Sequence, residues 1–289
     1  MGSRARRVAA GISAAWYVGG TIVAKLESGQ TALVTGGSSG IGRAFARALA
    51  ARGLHVVVVA RDRARLEQLG SEIEAMGSRA EVLAADLGDA AQLGRVEDRL
   101  RGEPAIDLFV NNAALGASGR FTDVDVEAAE EQIRVNVVAP TRLAHAALQS
   151  MLARRRGGLV NVSSGVAFFP SLYNAAYSGT KAYLAILSLT IAEELRESGV
   201  DVLTVFPGFT RTEFQKRAGF DVSRVPRFLW QDASQVVDEA LAALEAGRQF
   251  CVPGTQNKLA IALNHLVPYS LRGRLAGLLA RFTPQAPSS

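Results

Sequence analysis

Residues 32–42 read ALVTGGSSGIG, and this stretch decides the fold. The apolar run Ala32–Thr35 predicts a short strand, and Ile41–Arg52 has the spacing of a helix. Glycines between a strand and a helix allow a tight turn and let the backbone approach a pyrophosphate, which the unpaired N–H groups of the helix N-terminus can bind. An ordinary glycine-rich turn is the alternative. The spacing here is Gly-x-x-x-Gly-x-Gly, not the Gly-x-Gly-x-x-Gly of ordinary dinucleotide folds.

Strands and helices alternate along the rest of the chain. The further predicted strands are Val56–Ala60, Glu81–Ala85, Ile106–Asn111, Leu159–Ser163, Val202–Phe206 and Phe250–Val252. The further predicted helices are Arg63–Met76, Ala90–Leu100, Val126–Leu152, Ala176–Glu197 and Ser234–Glu245. This rhythm predicts the α/β class: a Rossmann-type, doubly wound parallel sheet with helices on both faces, in a single domain. We expect a domain over residues 29–254, a basic and apolar N-terminal extension over 1–28, and an amphipathic basic tail over 255–289.

Composition excludes several classes of protein. Apolar residues make up 48% of the chain, which is enough for a packed core. The single cysteine, Cys251, excludes an intramolecular disulfide framework, and three scattered histidines show no metal-ligand spacing, so we expect no metal. The formal net charge of +5 is concentrated at the ends: residues 1–30 carry +3 and residues 246–289 carry +5, which leaves −3 for the middle. A nucleic-acid-binding core would carry its own basic stripe, so no nucleic acid is expected.

Two further motifs carry chemically useful side chains. Tyr177 and Lys181 are four residues apart on a predicted helix and therefore lie on one face. A phenol has a reference pKa of about 10, and a nearby ammonium group favours the phenolate and lowers that pKa. Such a pair also occurs by chance on many helix surfaces. Ser163 and Ser164 end the strand that precedes this helix; a polar strand end or a helix cap is the alternative reading of these serines.

Together these motifs resemble those of the short-chain dehydrogenase/reductase family. Further matches are Asn111-Asn112-Ala113-Ala114 after the fourth strand, where the family has Asn-Asn-Ala-Gly, and Asn136 in the following helix. Asp86 follows the third strand, and Pro207-Gly208 with Thr212 follows the sixth. The resemblance spans about residues 30–254. The departure at Ala114 places a methyl group beside the expected cofactor loop.

The resemblance implies a catalytic set of Asn136, Ser164, Tyr177 and Lys181. Tyr177 would be the general acid in reduction, and Lys181 would lower its pKa and hold the nicotinamide ribose. Ser164, with Ser163 as the competing candidate, would hydrogen-bond the substrate carbonyl, and Asn136 would support a water in a proton relay. The implied cofactor-binding residues are Gly36, Ser38, Ser39, Gly40, Ile41, Gly42, Arg61, Asp86, Leu87, Asn112, Ala113, Tyr177, Lys181, Pro207, Gly208, Thr210 and Thr212.

The end of the second strand bears on the choice of cofactor. NAD enzymes usually carry a carboxylate there, which accepts the ribose 2′-hydroxyl. This chain has Ala60, followed by Arg61, whose guanidinium can pair with a 2′-phosphate, and Arg63 and Arg65 add positive charge. The sequence therefore favours NADP(H) over NAD(H). If Asp62 instead of Ala60 faced the ribose, the preference would reverse.

The substrate side is predicted to be apolar. The resemblance implies that residues 208–230 cover the substrate, and this segment contains Phe209, Phe214, Phe220, Phe228, Leu229 and Trp230. Phe168, Phe169, Pro170, Leu172 and Tyr173 would form the opposite wall. Plain core packing is the alternative for some of them. We expect an NADPH-dependent reductase of a lipophilic ketone or oxoacyl-type carbonyl. The alternatives are an NAD(P)-dependent alcohol dehydrogenase and a non-catalytic nucleotide sensor.

The two ends suggest a membrane surface or a partner. Val8–Ala24 has no charge and follows three arginines, but as a helix it would span about 25 Å, short of a bilayer core of about 30 Å. Leu271, Leu275, Leu278, Leu279 and Phe282 form one helical stripe in the tail. Packing on the domain or on a partner subunit is as reasonable as peripheral membrane contact. We expect a cytoplasmic homo-oligomer, a dimer or tetramer, and peripheral membrane contact through these ends is the alternative to their packing on the domain or on a partner subunit.

Overall fold

The computed structural model describes residues 26–273 except 221, 224 and 269. Within these residues, seven parallel strands form one sheet in the order β3-β2-β1-β4-β5-β6-β7. The strands are β1 (Thr31–Thr35), β2 (His55–Ala60), β3 (Ala80–Ala84), β4 (Leu108–Asn111), β5 (Gly157–Val162), β6 (Val200–Val205) and β7 (Phe250–Cys251). The predicted Rossmann-type parallel sheet in a single domain is confirmed.

Helices cover both faces of the sheet. They are α1 (Gly40–Ala51), α2 (Arg63–Ala75), α3 (Ala90–Arg101), α4 (Val126–Ile133), α5 (Ala139–Ala153), α6 (Ala175–Glu194), α7 (Phe214–Arg217), α8 (Ala233–Glu245) and α9 (Thr255–His265). Apolar side chains of α1, α2 and α8 pack on one face. Those of α3, α5 and the end of α6 pack on the other. The described part of the chain contains no helix long and apolar enough to cross a membrane.

The four consecutive valines of β2 alternate between the two faces of the sheet. Val56 and Val58 point into the core beneath α1, α2 and α8. Val57 and Val59 point into the core on the opposite face. Successive side chains of a strand alternate between the two faces of a sheet, so a strand buried on both faces needs an apolar residue at every position. This is the physical basis of the run that predicted a central parallel strand.

The strand order reverses between β1 and β4, which are hydrogen-bonded neighbours in the sheet. In open parallel sheets, the connections on the two sides of such a point diverge and leave a crevice at the carboxyl ends of the strands. The glycine-rich turn follows β1, and residues 112–113 follow β4. The topology therefore brings two of the predicted motifs to the same crevice.

Two elements differ from the sequence prediction. The helix predicted over Val126–Leu152 is interrupted by a π-helical segment, Arg134–Val138, between α4 and α5. The start of the predicted tail is helix α9, whose Ile261 packs into a small core with Phe206 and Val252. Burial of this side chain attaches the helix to the domain. The predicted N-terminal stretch Val8–Ala24 and the tail residues beyond 273 lie outside the described residues.

Candidate active site

A cavity of about 920 Å³ opens at the carboxyl ends of the strands. The glycine-rich turn after β1 lines one part of it, together with the segments that follow β2, β3 and β4. The segments after β5 and β6, helix α7 and one face of α9 line the other part. Most predicted cofactor-binding residues therefore come together on one continuous surface. Among the predicted site residues, Gly42 and Asn136 lie behind the cavity wall.

Three glycines of the glycine-rich turn occupy positions where a side chain does not fit. Gly36 and Gly40 have φ angles of 69° and 56°, in the left-handed region that favours glycine. A Cβ at Gly36 would also come within 2.7 Å of the Asn112 amide nitrogen, and one at Gly42 would overlap the carbonyl oxygen of Gly36. Gly42 thus allows the close packing of α1 on the turn.

The same turn fits the diphosphate of a dinucleotide. Ser39 is the N-cap residue of α1, but its side chain makes no capping hydrogen bond. The first N–H groups of an α-helix have no partners within the helix, and the helix dipole makes this end favourable for an anion. Thr35 and Asn112 fix the loop beside it: Thr35 Oγ1 accepts from the backbone N–H of Asn112 at 2.9 Å, and the Asn112 side chain donates to the Thr35 carbonyl at 2.8 Å.

Tyr177, Lys181 and Ser164 meet where the two parts of the cavity join. Tyr177 and Lys181 lie one turn apart on α6, and both are buried. The Lys181 ammonium nitrogen is 5.8 Å from the centre of the Tyr177 ring and donates to the Val162 carbonyl at 2.8 Å. Ser164 follows β5 and hydrogen-bonds the Tyr177 side chain. The site therefore places a phenol and a hydroxyl side by side at the cavity wall.

Burial governs the protonation of this pair. It raises the pKa of Tyr177 to about 12, and the hydrogen bond from Ser164 opposes this rise. Burial also lowers the pKa of Lys181 to about 8. The sequence predicted that Lys181 would lower the pKa of the phenol. Desolvation is the larger effect, because both groups are removed from water and the ammonium is itself penalised. The phenol is neutral at pH 7 and can donate a hydrogen bond.

The two candidate serines have different surroundings. The Ser163 hydroxyl donates to the Lys181 carbonyl at 2.8 Å and is buried. This bond joins the end of β5 to α6. The Ser164 hydroxyl instead contacts Tyr177 and accepts from the Val166 N–H at 3.4 Å. Ser163 is therefore held between β5 and α6, whereas Ser164 lies beside the phenol, and the role of Ser164 towards a substrate carbonyl stays a prediction.

Asn136 lies in the π-helical segment. Its side chain accepts from the Leu115 N–H at 2.8 Å and donates to the Leu115 carbonyl, also at 2.8 Å. It further donates to Thr180 Oγ1 on α6 at 3.2 Å. A π-helical turn adds one residue to the helical repeat and often occurs at functional sites. Here it brings the amide between α6 and the chain after β4, while the predicted water relay through Asn136 stays a prediction.

Arg61, which directly follows β2, lines the cavity and has two long ion-pair contacts. Arg61 is exposed, and its Nη1 lies 3.8 Å from both Asp86 Oδ2 and Glu131 Oε1. The Asp62 carboxylate accepts from the Arg65 N–H at 3.1 Å and caps α2. Arg65 also lines the cavity but donates to Glu213 at 2.7 Å. Arg63 does not line the cavity and pairs with Glu67 at 3.5 Å.

The substrate side differs in part from the prediction. Of the aromatic and apolar residues named from the sequence, the cavity is lined by Phe169, Phe209, Phe214, Phe220 and Leu229. Phe168 instead packs against Phe206 and Phe250, with ring centres 4.7 and 5.8 Å away, so it belongs to the core. The Phe214 and Phe220 rings contact the Tyr177 ring at 5.5 and 6.3 Å between ring centres.

Sequence reasoning missed the contribution of α9. Asn257, Ala260 and Ile261 line the cavity from a helix that was assigned to a separate tail. The spacing of Asn257, Ile261 and Asn264 at i, i+4 and i+7 places them on one face of a helix. That pattern was hard to find from hydrophobicity because two of its three residues are amides.

Comparison with known proteins gives a consistent result. A family model described as short chain dehydrogenase matches residues 30–222. The chain is 31% identical to 17-beta-hydroxysteroid dehydrogenase type 3 of Rattus norvegicus over 244 residues, which cover 83% of this chain and 77% of the rat protein. The chain is also 37% identical to a short chain dehydrogenase of Pseudocercospora fijiensis, and this alignment spans 61% of that protein's own length.

Two solved structures are also similar. One is a short-chain dehydrogenase from Sphingobium yanoikuyae in complex with NADPH, which is 36% identical, with a TM-score of 0.76 over 87% of this chain and 95% of that chain. The other is a bulky-bulky ketone specific alcohol dehydrogenase from Comamonas testosteroni, 33% identical, with a TM-score of 0.71 over 83% of this chain and 96% of that chain.

Proposed function

Because this chain belongs to the short-chain dehydrogenase/reductase family, we propose that it is an NADPH-dependent reductase of lipophilic ketones or oxoacyl-type carbonyls. Membership makes it an oxidoreductase that acts on hydroxyl or carbonyl groups with a nicotinamide cofactor. The observation that carries the finer proposal is the meeting of Ser164, Tyr177 and Lys181 at one wall of a cavity whose other part is the glycine-rich turn.

Each residue of this set has a separate task. The glycine-rich turn and Asn112 would hold the cofactor, and a bound NADPH would supply the hydride for the carbonyl carbon. Tyr177 would give its proton to the carbonyl oxygen, which then becomes the hydroxyl of the product alcohol. Ser164 would donate a hydrogen bond to the same oxygen and stabilise the negative charge that develops there. The Lys181 ammonium would keep positive charge near the phenolate left on Tyr177.

The protonation of Tyr177 fits the role of a general acid in carbonyl reduction. With its pKa raised to about 12 by burial, the phenol carries its proton at neutral pH. A general acid must hold a proton before the reaction, whereas the oxidative direction starts from a phenolate. The apolar walls formed by Phe209, Phe214 and Phe220 support a lipophilic substrate. The similar ketone-specific and hydroxysteroid enzymes have names that point to the same class of substrate.

Turnover of ketones tests this proposal. The protein should oxidise NADPH only with a lipophilic ketone present and form one alcohol per NADPH consumed. The control is Tyr177→Phe, which keeps the ring but removes the proton. We expect a kcat lower by at least about a hundredfold in the variant, with NADPH affinity within about twofold by fluorescence titration. Full turnover by Tyr177→Phe would refute the assigned acid. Tight binding without turnover of any ketone would favour a nucleotide sensor.

We further propose that Arg61 selects NADP(H). Asp62, the acid that could reverse this preference, also lines the cavity, but its carboxylate accepts from the Arg65 N–H and pairs with the Arg65 guanidinium at 3.4 Å. Within the part of the chain that the structure describes, Arg61 pairs with Asp86 and Glu131 at the long distances given above, so its guanidinium is available to a 2′-phosphate.

The matched variants Arg61→Ala and Arg63→Ala test this preference, because both arginines lie near the start of α2 but only Arg61 lines the cavity. Arg61→Ala should weaken NADPH binding about tenfold or more and leave NADH binding unchanged. Arg63→Ala should change neither. An equal loss for both nucleotides, or tighter NADH than NADPH binding by the unaltered protein, would contradict the proposal.

A further inference from the structure

Helix α9 has two asparagines on the face that packs against the domain. The Asn257 amide donates to Gln231 Oε1 at 2.7 Å, and the Asn264 amide donates to the Phe168 carbonyl at 3.0 Å. Between them, Ile261 is buried in the small core beneath the helix. Hydrogen bonds and one apolar anchor therefore hold this helix to the protein.

The opposite face of α9 is apolar and exposed. Leu259, Leu263 and Leu266 are 59, 55 and 76% exposed, respectively. Their spacing of four and three residues places them on one stripe of the helix, which we call the leucine face. Surface helices of soluble proteins normally turn such a stripe inwards. An exposed leucine stripe beside inward-facing amides indicates that this face has another apolar environment.

The leucine face borders the substrate part of the cavity. Ala260 lines that cavity and lies three residues before Leu263, so these two residues are neighbours on the helix surface, whereas Ile261 lines the cavity from the opposite, buried face. Leu229 lines it from the covering segment, and the adjacent Phe228 is largely exposed. An apolar surface thus continues around the mouth of an apolar cavity.

Charge identifies the environment that fits this face. Residues 246–289 contain Arg248, Lys258, Arg272, Arg274 and Arg281 and no acidic residue. Among the described ones, Lys258 pairs with Glu239 at 2.9 Å. A basic segment with an apolar stripe complements an anionic lipid surface, where the stripe enters the acyl boundary and the basic groups stay at the headgroups. The described chain begins at the amino ends of β1 and β2, where the Gly29 N–H donates to the Gly53 carbonyl, whereas the cavity lies at the carboxyl ends of the strands.

We propose that the leucine face of α9 docks on an anionic bilayer, so that the cavity mouth opens towards the membrane and a lipophilic carbonyl enters from it. The route of the substrate rests on the proposed function. The docking itself does not, because it depends only on the exposed leucines and on the charge of the C-terminal segment.

Vesicle flotation of the full-length protein tests the docking. The vesicles are phosphatidylcholine alone or phosphatidylcholine with phosphatidylglycerol. The test variant is Leu259→Ser/Leu263→Ser/Leu266→Ser. The matched control changes three similarly exposed apolar residues, as Phe121→Ser/Val126→Ser/Ile186→Ser. We expect the unaltered protein and the control to float with anionic vesicles at low salt. The test variant should bind at least about tenfold more weakly.

Three results would overturn the docking proposal. One is equal flotation of the test variant and the unaltered protein. Another is flotation that is lost on deletion of residues 2–25 but kept in the test variant. The third is a change of oligomeric state in the test variant, measured by analytical ultracentrifugation, without a change in vesicle binding. Circular dichroism verifies that each variant is folded.

Activity separates the docking from the proposed function. With a water-soluble ketone, the test variant should have the kcat/KM of the unaltered protein, because none of the three leucines lines the cavity. With a ketone that partitions into anionic vesicles, its rate should fall about tenfold. Equal rates of both proteins with the partitioned ketone would overturn the substrate route. Absence of all ketone turnover, with flotation intact, would refute the reductase and leave the docking supported.

Discussion

The two parts of the cavity are built in different ways. In the cofactor part, the glycine-rich turn presents mainly backbone and small residues, and Gly36 and Gly42 approach their neighbours so closely that a methyl group does not fit. In the substrate part, the walls are side chains from three stretches that are distant in sequence: those following β5 and β6, and helix α9. The cofactor part has one turn geometry that few sequences can form, whereas the substrate part can be rebuilt by exchanging side chains.

This difference determines how each part should respond to substitution. A substitution in the glycine-rich turn is expected to cause steric overlap, and therefore to lower the stability of the protein and weaken nucleotide binding together. A side-chain wall is expected to change substrate preference while the fold persists. The catalytic hydroxyls lie at the junction, so changes there should affect the rate most.

The largest effect is expected at the junction, where Ser164 and Ser163 form a matched pair. Ser164→Ala removes the proposed hydrogen bond to the carbonyl oxygen and should lower kcat about a hundredfold or more, which is about 3 kcal/mol in the barrier. Ser163→Ala removes the bond to the Lys181 carbonyl, so it should lower the free energy of unfolding by about 1 kcal/mol and keep kcat within about threefold. Steady-state kinetics and urea unfolding measure both. A larger loss of kcat in Ser163→Ala than in Ser164→Ala would mean that Ser163, not Ser164, bonds the carbonyl oxygen.

The next largest effect is expected in the cofactor part. Gly42→Ala places a methyl group against the Gly36 carbonyl and should lower the free energy of unfolding by about 2 kcal/mol and weaken NADPH binding. Gly94→Ala on α3 is the control, because no atom lies within 4 Å of its added Cβ. This control should be stabilised by about 0.5–1 kcal/mol. Thermal unfolding with and without NADPH measures the stability and the nucleotide binding of both variants. If the two variants gave the same result, the steric account would be contradicted.

A pH dependence of stability should come from Lys181. Its pKa of about 8 in the folded chain lies below the ordinary 10.5, so the unfolded chain binds more protons between these values. The free energy of unfolding should therefore rise with pH, by about 1.5 kcal/mol from pH 8 to 9.5, and this contribution should be constant well below pH 8. Tyr177 opposes the rise only above pH 10. The free energy of unfolding of Lys181→Met, measured with denaturant, should lack this rise between about pH 8 and 9.5. An unchanged rise in the variant would mean that another buried group causes it.

The smallest effect should appear in the substrate part. Phe214→Ala removes a ring that contacts both Tyr177 and the chain at Gly116. The pocket then has an unfilled space, so kcat/KM for a bulky ketone should fall about tenfold, and NADPH affinity should stay within about twofold. Kinetics with ketones of increasing size and a parallel NADPH titration measure this. A larger loss of nucleotide affinity than of kcat/KM would remove the distinction between the two parts.

The elements that the sequence predicted well are those with a local cause. The consecutive valines of β2 predicted a strand buried on both faces, and Tyr177 and Lys181 were predicted to share one face of a helix, as they do on α6. The π-helical interruption at Arg134–Val138 was missed, because its residues continue the helical pattern and only the packing of Asn136 against Leu115 and Thr180 distinguishes it.

The substrate part was harder to predict because it depends on long-range packing. Phe168 and Phe169 are adjacent aromatic residues, but one enters the core and the other lines the cavity. Hydrophobicity cannot distinguish these two environments. The position of α9 was hidden for a similar reason, since amides hold it to the domain.

The sequence by itself determined the order of strands and helices along the chain and the glycine-rich turn, because these follow from local spacing and from which residues fit a turn or a buried strand. The candidates for catalysis came from the resemblance of its motifs to those of the family. Only the tertiary structure decided that Ser163 is bonded to α6, that burial raises the pKa of Tyr177, and that α9 completes the cavity. These properties arise from neighbours that are distant in the chain. Desolvation, hydrogen-bond partners and cavity shape exist only when those neighbours are packed together.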